Sequence, residues 1–175
     1  MIQRLLPSYL AKNAYEIPAS FYKDIGKKIV LFDLDNTLDP IDTLDPSNQT
    51  KDLISKLKQA GLSVYIASNN TSKRVFRYSK ALDIEAISGL FKPFSIKLKK
   101  WLKKKGYNNR EVILVGDQIF TDVIASRGAK IDVILTEPLS KKDSVFTLLN
   151  RKIEKLFRKK IRNKHLASYW EEIHL

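Results

Sequence analysis

Residues Ile29-Val-Leu-Phe-Asp-Leu-Asp-Asn-Thr-Leu38 set an unbroken apolar run directly against two carboxylates, an amide and a hydroxyl. An apolar run without polar alternation fits a central strand of a parallel sheet, covered on both faces. Such a strand obliges the chain to supply helices for both faces and right-handed crossovers to parallel neighbours. Asp33 opens the polar stretch where the run stops, and open α/β sheets bind ligands outside that end. A solvated Asp/Asn turn explains the same residues equally well, so the rest of the chain has to decide.

The following segments alternate in the way a doubly wound sheet requires. Ser47 or Asn48 can cap a helix with Leu53, Ile54 and Leu57 on one face, and Gly61 ends it. Leu62 to Ala67 reads as the second strand, and Ser68-Asn-Asn-Thr-Ser72 as a polar loop capping a helix that turns Val75, Tyr78, Ser79 and Leu82 inward. Ile84 to Ile87 is a short strand. Phe91-Lys-Pro93 leads into a basic helix through about Lys105, with a Gly106 stop. Arg110 to Asp117 repeats the opening pattern, an apolar strand ending in a carboxylate; a helix containing Asp122 to Arg127 and a fifth strand, Ile131 to Leu135, follow. Met1 to Lys27 carries no sustained period and reads as short helical pieces. The expected architecture is a three-layer, Rossmann-like α/β fold with a central parallel sheet, as one domain over residues 1–175.

The last part, residues 143–175, differs. Arg151 to Lys164 holds eight cationic side chains and one Glu, with Ile153, Leu156, Phe157 and Ile161 at helical spacing. This is a basic amphipathic helix, expected to pack its apolar stripe on the sheet and leave its cations solvated. The alternative is a dedicated surface for membrane or nucleic acid, which a net charge of +13 permits.

Composition narrows the chemistry. Cysteine is absent, and the two histidines, His165 and His174, stand in the tail. Thiolate nucleophiles, Ser-His triads and most zinc sites are thereby excluded, while redox compartment stays undecided. No apolar run reaches the roughly 20 residues of a membrane span, and Leu5-Leu6-Pro7 is too short for a signal-peptide core. A cytoplasmic protein is expected, with peripheral membrane contact left open.

Asp33, Ser68, Lys92 and Asp117 follow one another at intervals of 35, 24 and 25 residues. Each interval is close to one βαβ unit of about 30 residues, so all four strand ends fall on one edge of the sheet. That edge would also carry Asp35, Thr37, Asn69 and Asp122. Clustered carboxylates persist together when protonated or bound to a cation, and oxygen ligands favour a hard ion such as Mg²⁺, with Asp33 and Asp117 as the natural ligands. A Ca²⁺ loop fails, because Leu38 occupies the position that needs Gly and Leu44 the one that needs Glu. A phosphoryl group suits the whole set: metal and ammonium neutralise its oxygens while hydroxyl and amide orient it. Asp33 can then attack, and Asp35 can protonate the leaving oxygen and later activate water.

Asp-x-Asp-x-Thr, Ser-Asn after the second strand, Lys-Pro, and Gly-Asp-Gln-x-x-Thr-Asp resemble the four motifs of haloacid dehalogenase (HAD) superfamily phosphatases. Phe-Asp-Leu-Asp-Asn-Thr-Leu, Ala-Ser-Asn-Asn and Val-Gly-Asp-Gln-Ile-Phe-Thr-Asp-Val more narrowly resemble the YqeG group, which is similar to phosphatidylglycerophosphate phosphatases. The resemblance implies Asp33 as nucleophile and Asp35 as acid/base whose backbone carbonyl also serves Mg²⁺. It implies Thr37 as a positioning residue, Ser68, Asn69 and Lys92 on the phosphate, Asp117 on Mg²⁺ and Asp122 in support. The expected activity is a Mg²⁺-dependent phosphomonoester hydrolase acting through an aspartyl phosphate, its substrate a soluble phosphomonoester or an anionic phospholipid. Only Asp39 to Ser47 precede the next helix, and Asn70 to Phe91 is filled by one helix and a strand. No cap domain fits, and an open site suits a bulky substrate.

Two other classes compete. A phospho-acceptor switch resembling two-component receivers places similar groups on such a sheet, but receivers put the lysine last, whereas Lys92 precedes Asp117. A basic RNA- or ribosome-associated module is allowed by charge and lacks a stacking-aromatic motif.

Overall fold

The computed structural model describes residues 2–71, 73–142 and 145–173, with the side chains of residues 2 and 145–152 outside the description. The capping group expected at Ser72, the cations Arg151 and Lys152 and the tail histidine His174 fall outside those limits.

Seven parallel strands form one sheet in the order β4-β3-β2-β5-β6-β1-β7. They are β1 (Tyr9–Leu10), β2 (Ile29–Phe32), β3 (Ser63–Ala67), β4 (Ala86–Ile87), β5 (Val112–Gly116), β6 (Asp132–Leu135) and β7 (Ser168–Tyr169). The helices are α1 (Ala19–Asp24), α2 (Asn48–Gln59), α3 (Lys73–Leu82), α4 (Ile96–Lys105), α5 (Ile124–Ala129) and α6 (Val145–Asn163). From β2 the chain winds outward through β3 and β4, then returns to β5 on the other side of β2. Strand order therefore reverses between β2 and β5, the point at which such sheets open a ligand crevice.

The three layers follow from strand alternation. Val30 and Phe32 of β2, with Ile113 and Val115 of β5, face a core shared with Phe21 and Tyr22 of α1, Leu53, Ile54 and Leu57 of α2, and Val75, Tyr78 and Leu82 of α3. Ile29, Leu31, Val112 and Leu114 face the opposite core with Leu98 and Leu102 of α4, Ala129 of α5 and Ile161 of α6. Every residue of β2 and β5 is buried, as their unbroken apolar runs require. Ser47 caps α2 by accepting from the Thr50 N–H, and Gly106 ends α4 in a left-handed conformation.

Three features depart from the expected pattern. β1 and β7 add two strands to the five expected, and β1 lies in the segment read as helical pieces; it pairs with β6 and β7. The helix expected to contain Asp122 to Arg127 is present, but its first turn, Ile119–Val123, is π-helical and only α5 after it is α-helical. The inward stripe of α6 follows the apolar spacing only in part: Ile161 is in the core and Phe157 packs against it, beside the Phe120 ring. Ile153 and Leu156 are exposed, whereas Glu154, Arg158 and Ile161 are buried. Burial of the two charged groups is possible because each meets a distant partner: Glu154 accepts from the Phe120 N–H at 2.9 Å, and Arg158 donates to the Asp117 carbonyl.

α2 begins directly after the loop that follows β2, and among the described residues α3 is the one helix between β3 and β4, so those residues hold no inserted cap at either place. Among the described residues no helix is long and apolar enough to cross a membrane.

Candidate active site

Asp33 leaves β2 on a tight loop. Its N–H donates to the Val115 carbonyl at 2.9 Å, which ties the start of that loop to β5. Asn36 takes a left-handed conformation at φ 61°, a region that asparagine tolerates better than most residues. Its side chain donates to the Lys142 carbonyl at 2.8 Å and accepts from the Ser140 hydroxyl at 2.7 Å, so the loop after β6 holds the loop after β2.

Asp33, Asp117 and Asp122 converge, each buried and each offering a carboxylate oxygen within 4.8 Å of the others. Lys92 enters from the loop after β4. Its ammonium donates to Asp33 Oδ1 at 2.5 Å, Asp122 Oδ1 at 2.6 Å and the Ala67 carbonyl at 2.9 Å. Asn69 braces that turn, accepting from the Lys92 N–H at 2.6 Å and donating to its carbonyl at 3.0 Å. Ser68 is buried beside it, its hydroxyl accepting from the Asn70 N–H at 3.1 Å. Thr37 donates to Asp117 Oδ1 at 3.3 Å. The π-helical turn lets Asp122 fold back over the end of β5, where the Gln118 N–H donates to its Oδ2 at 3.0 Å. Gly116 makes room for it: a Cβ there would lie 2.4 Å from Asp122 Cγ.

All eight residues expected at the site thus line one edge, with two qualifications of geometry. The carboxylate of Asp35 points out of the three-aspartate cluster to an ion pair with Arg74. Asn69 spends its amide on the backbone of Lys92.

Electrostatics describe an over-acidic pocket. Burial lifts the Asp33 carboxyl well above its ordinary value of 3.8; Lys92 opposes the rise, and Asp122, Asp117 and Asp35 add to it. Burial also pulls the Lys92 ammonium down, but Asp122 and Asp33 more than reverse this and leave it above its ordinary value. Two ionised carboxylates with oxygens no more than 4.8 Å apart repel by about 3 kcal/mol or more at an effective dielectric near 20. One lysine among three carboxylates leaves that repulsion undercompensated. A small divalent cation with all-oxygen ligands fits the donor set and would relieve it.

Four supporting residues leave no recognisable signal in the sequence. Arg74 of α3 holds the Asp35 carboxylate, donates to the carbonyls of Pro40 and Thr43, and lies 4.8 Å over the Tyr78 ring. Asp39, 2% exposed, accepts from the hydroxyls of Thr50 at 2.7 Å and Tyr78 at 3.1 Å. Arg158 and Glu154 of α6 brace the loop after β5 from the other side.

A model of the haloacid dehalogenase-like hydrolases matches residues 39–136. That match starts just past the loop carrying Asp33, Asp35 and Thr37. The chain is 29% identical over 168 residues to the probable phosphatase YqeG of Bacillus subtilis, spanning 95% of this chain and 96% of that one. It is 30% identical over 154 residues to the chloroplastic/mitochondrial phosphatidylglycerophosphate phosphatase 1 of Arabidopsis thaliana, spanning 82% of this chain and 44% of that longer one. Two solved structures share the fold. One, an uncharacterized protein from Listeria monocytogenes, matches with a TM-score of 0.54 at 17% identity, over 67% of this chain and 84% of that one. The other, 3-deoxy-D-manno-octulosonate 8-phosphate phosphatase from Moraxella catarrhalis in complex with magnesium and phosphate ions, matches with a TM-score of 0.51 at 20% identity, over 68% and 82%.

Proposed function

The chain belongs to the haloacid dehalogenase-like hydrolases, and from that premise we propose that it is a Mg²⁺-dependent phosphomonoesterase working through an aspartyl phosphate, with a lipid phosphomonoester of the phosphatidylglycerophosphate class as substrate. The observation that carries the reading is the buried network of Lys92 with Asp33 and Asp122 beside Asp117, at the point where strand order reverses. The lipid assignment draws on the likeness to the Arabidopsis enzyme and on the open, capless edge.

Asp33, Asp117 and the Asp35 backbone carbonyl would hold Mg²⁺, with Asp122 supporting from behind. The chemistry that the ion supplies when bound is neutralisation of the phosphoryl oxygens and of the carboxylate cluster. Lys92 binds the phosphoryl group from the other side, held in place by Asn69, while Ser68 and Thr37 orient its oxygens. A carboxylate oxygen of Asp33 attacks phosphorus, the ester P–O bond breaks, and Asp35 gives its proton to the leaving oxygen. Asp35 next takes a proton from water; the hydroxide adds to phosphorus, the bond to Asp33 breaks, and phosphate leaves. To serve as acid, Asp35 has to turn its carboxyl group away from Arg74 and toward the leaving oxygen.

Phosphate release with Mg²⁺, for wild type against Asp33→Asn, tests the reading. Activity toward phosphatidylglycerophosphate that disappears in Asp33→Asn is expected. Full activity in Asp33→Asn rules out the mechanism. Turnover confined to soluble phosphomonoesters rules out the lipid substrate and leaves the hydrolytic assignment standing.

A further inference from the structure

Among the described residues the exposed large apolar side chains fall into two groups: Ile153, Leu156 and Leu166 on or just after α6, and five others at the sheet edge that carries the site. Leu44, Phe76, Phe91, Phe94 and Ile96 each leave 63–70% of their surface in solvent. Every one stands on a loop or first helical turn at the edge of the sheet that carries the site: Leu44 after β2, Phe76 at the start of α3, and the others on the Lys92 turn and the start of α4. Phe91 and Phe94 bracket Lys92 itself. Lys92 is 6% exposed and reaches into the carboxylates, while its two aromatic neighbours stand 69% and 68% exposed. The Phe94 N–H closes that turn on the Phe91 carbonyl at 3.0 Å. These groups form one rim because their loops are fastened together. The Gly89 N–H donates to the Asn70 carbonyl at 3.2 Å, and Arg74 and Arg77 of α3 clamp Thr43 and Asp45 on either side of Leu44.

The charge on this rim is positive. Its acidic groups are each met by a cation: Asp35 by Arg74, Asp42 by Lys142 and Asp45 by Arg77. Among the described residues no carboxylate pairs with Lys73 or Lys141; the Lys97 ammonium, also without a carboxylate partner, donates to the Ser88 and Gly89 carbonyls at 2.7 and 2.9 Å and lies 5.9 Å over the Phe91 ring. Clustered apolar groups of this size on a soluble surface mark an interaction site. Phenyl and aliphatic side chains among lysines suit the headgroup region of an anionic bilayer, where rings enter the acyl boundary and ammonium groups meet lipid phosphates. A polyanion such as RNA would use the lysines and leave the aliphatic rim unexplained.

We propose that the mouth of the site, and not the cationic face of α6, is the surface by which this protein docks on an anionic phospholipid bilayer. Phe91 and Phe94 enter the interface on either side of Lys92. The inference rests on reading that mouth as a phosphatase site and deepens it: a lipid keeps its acyl chains in the bilayer while its phosphomonoester reaches Lys92, so docking replaces the missing cap.

Flotation of the full chain with vesicles of equal parts phosphatidylglycerol and phosphatidylcholine tests this, with phosphatidylcholine alone as control. Wild type is expected to float with the anionic vesicles only. Phe91→Asn/Phe94→Ser is expected to lower the bound fraction about tenfold or more, while its rate on p-nitrophenyl phosphate stays near that of wild type; asparagine suits the φ of 57° at position 91. Leu44→Ser/Phe76→Ser, which leaves the Lys92 turn untouched, is expected to weaken binding in the same direction. Wild-type binding by both pairs, loss of binding only in Lys155→Gln/Lys159→Gln, failure of wild type to float, or dissociation of a dimer by Phe91→Asn/Phe94→Ser would each overturn the proposal. Asp33→Asn should float like wild type, which separates failure of docking from failure of the phosphatase reading.

Discussion

Gly116 ends β5 where only a hydrogen atom fits. An alanine Cβ built there meets Asp122 Cγ at 2.4 Å, Oδ2 at 2.6 Å and Cβ at 2.7 Å, against ordinary contacts of 3.4 Å and more. Gly116→Ala therefore has to push Asp122 back by about 1 Å, a displacement that typically costs on the order of a hundredfold in rate at a positioned site. The same shift disturbs the 2.6 Å bond from the Lys92 ammonium to Asp122 Oδ1. The overpacking itself should cost about 1–3 kcal/mol, or roughly 3–9 °C in melting temperature for a domain of this size. Thermal unfolding and phosphate release on Gly116→Ala measure both effects. All three colliding atoms belong to Asp122, so Asp122→Gly supplies the control. In that background Gly116→Ala should destabilise much less, a coupling that a double-mutant cycle reads directly. Wild-type activity in Gly116→Ala, or strictly additive losses in the cycle, would refute the claim that Gly116 exists to admit Asp122.

Mg²⁺ at a hundred times its dissociation constant should stabilise the fold by about 2.7 kcal/mol; a thermal shift that persists undiminished in Asp117→Asn would place the ion elsewhere. Arg158→Met removes the donor to the Asp117 carbonyl and should cost about 1–3 kcal/mol, with equal proportional losses of activity on soluble and vesicle substrates; a loss confined to vesicles would mean that α6 serves the membrane and not the site. Lys27, 5% exposed, pairs with Asp132 at 2.5 Å. Burial raises the Asp132 carboxyl, yet Lys27 and Ser8 outweigh it and leave it below 3.8. A depressed carboxylate contributes stability that is present above its unfolded value and lost as pH falls through its folded one. Lys27→Met should therefore cost about 1–2 kcal/mol at neutral pH, discounted because the Asp132 side chain stays 36% exposed, and the gap to wild type should close in acid; a gap that persists unchanged below pH 3.8 would refute this account.

The sheet centre and the site were legible because two independent signals coincide there. β2 and β5 are apolar throughout and end in carboxylates, and the intervals between Asp33, Ser68, Lys92 and Asp117 each match one crossover. β1 and β7, at two residues each, are too short to leave a period. Arg74 looks like any cation on an amphipathic helix, and only the return of the 40–45 loop gives it Asp35, Thr43 and Pro40 as partners. α6 misled for a sharper reason. Hydrophobic spacing assumes that charge stays outside, and it fails where a charged side chain finds satisfied partners inside. Glu154 and Arg158 find them on the loop after β5, contacts more than thirty residues away in sequence.

The burial of these two charged groups constrains how the basic tail can act. Were α6 to lift off the domain to meet a bilayer, the Asp117 carbonyl would lose Arg158 and the Phe120 N–H would lose Glu154, with Ile161 exposed as well. Hydrogen bonds to charged groups contribute about 1.5–3 kcal/mol each, so lifting costs several kcal/mol and loosens the turn that presents Asp122. Lysines near an anionic surface gain about 1 kcal/mol apiece, but those that would gain, such as Lys155 and Lys159, are already exposed while α6 is docked. Lifting therefore adds cost without adding contacts. α6 is thus a fixed brace of the loop after β5, and if the protein docks on an anionic bilayer as proposed, orientation there falls to the side chains around Lys92 while the outer cations of α6 add long-range attraction.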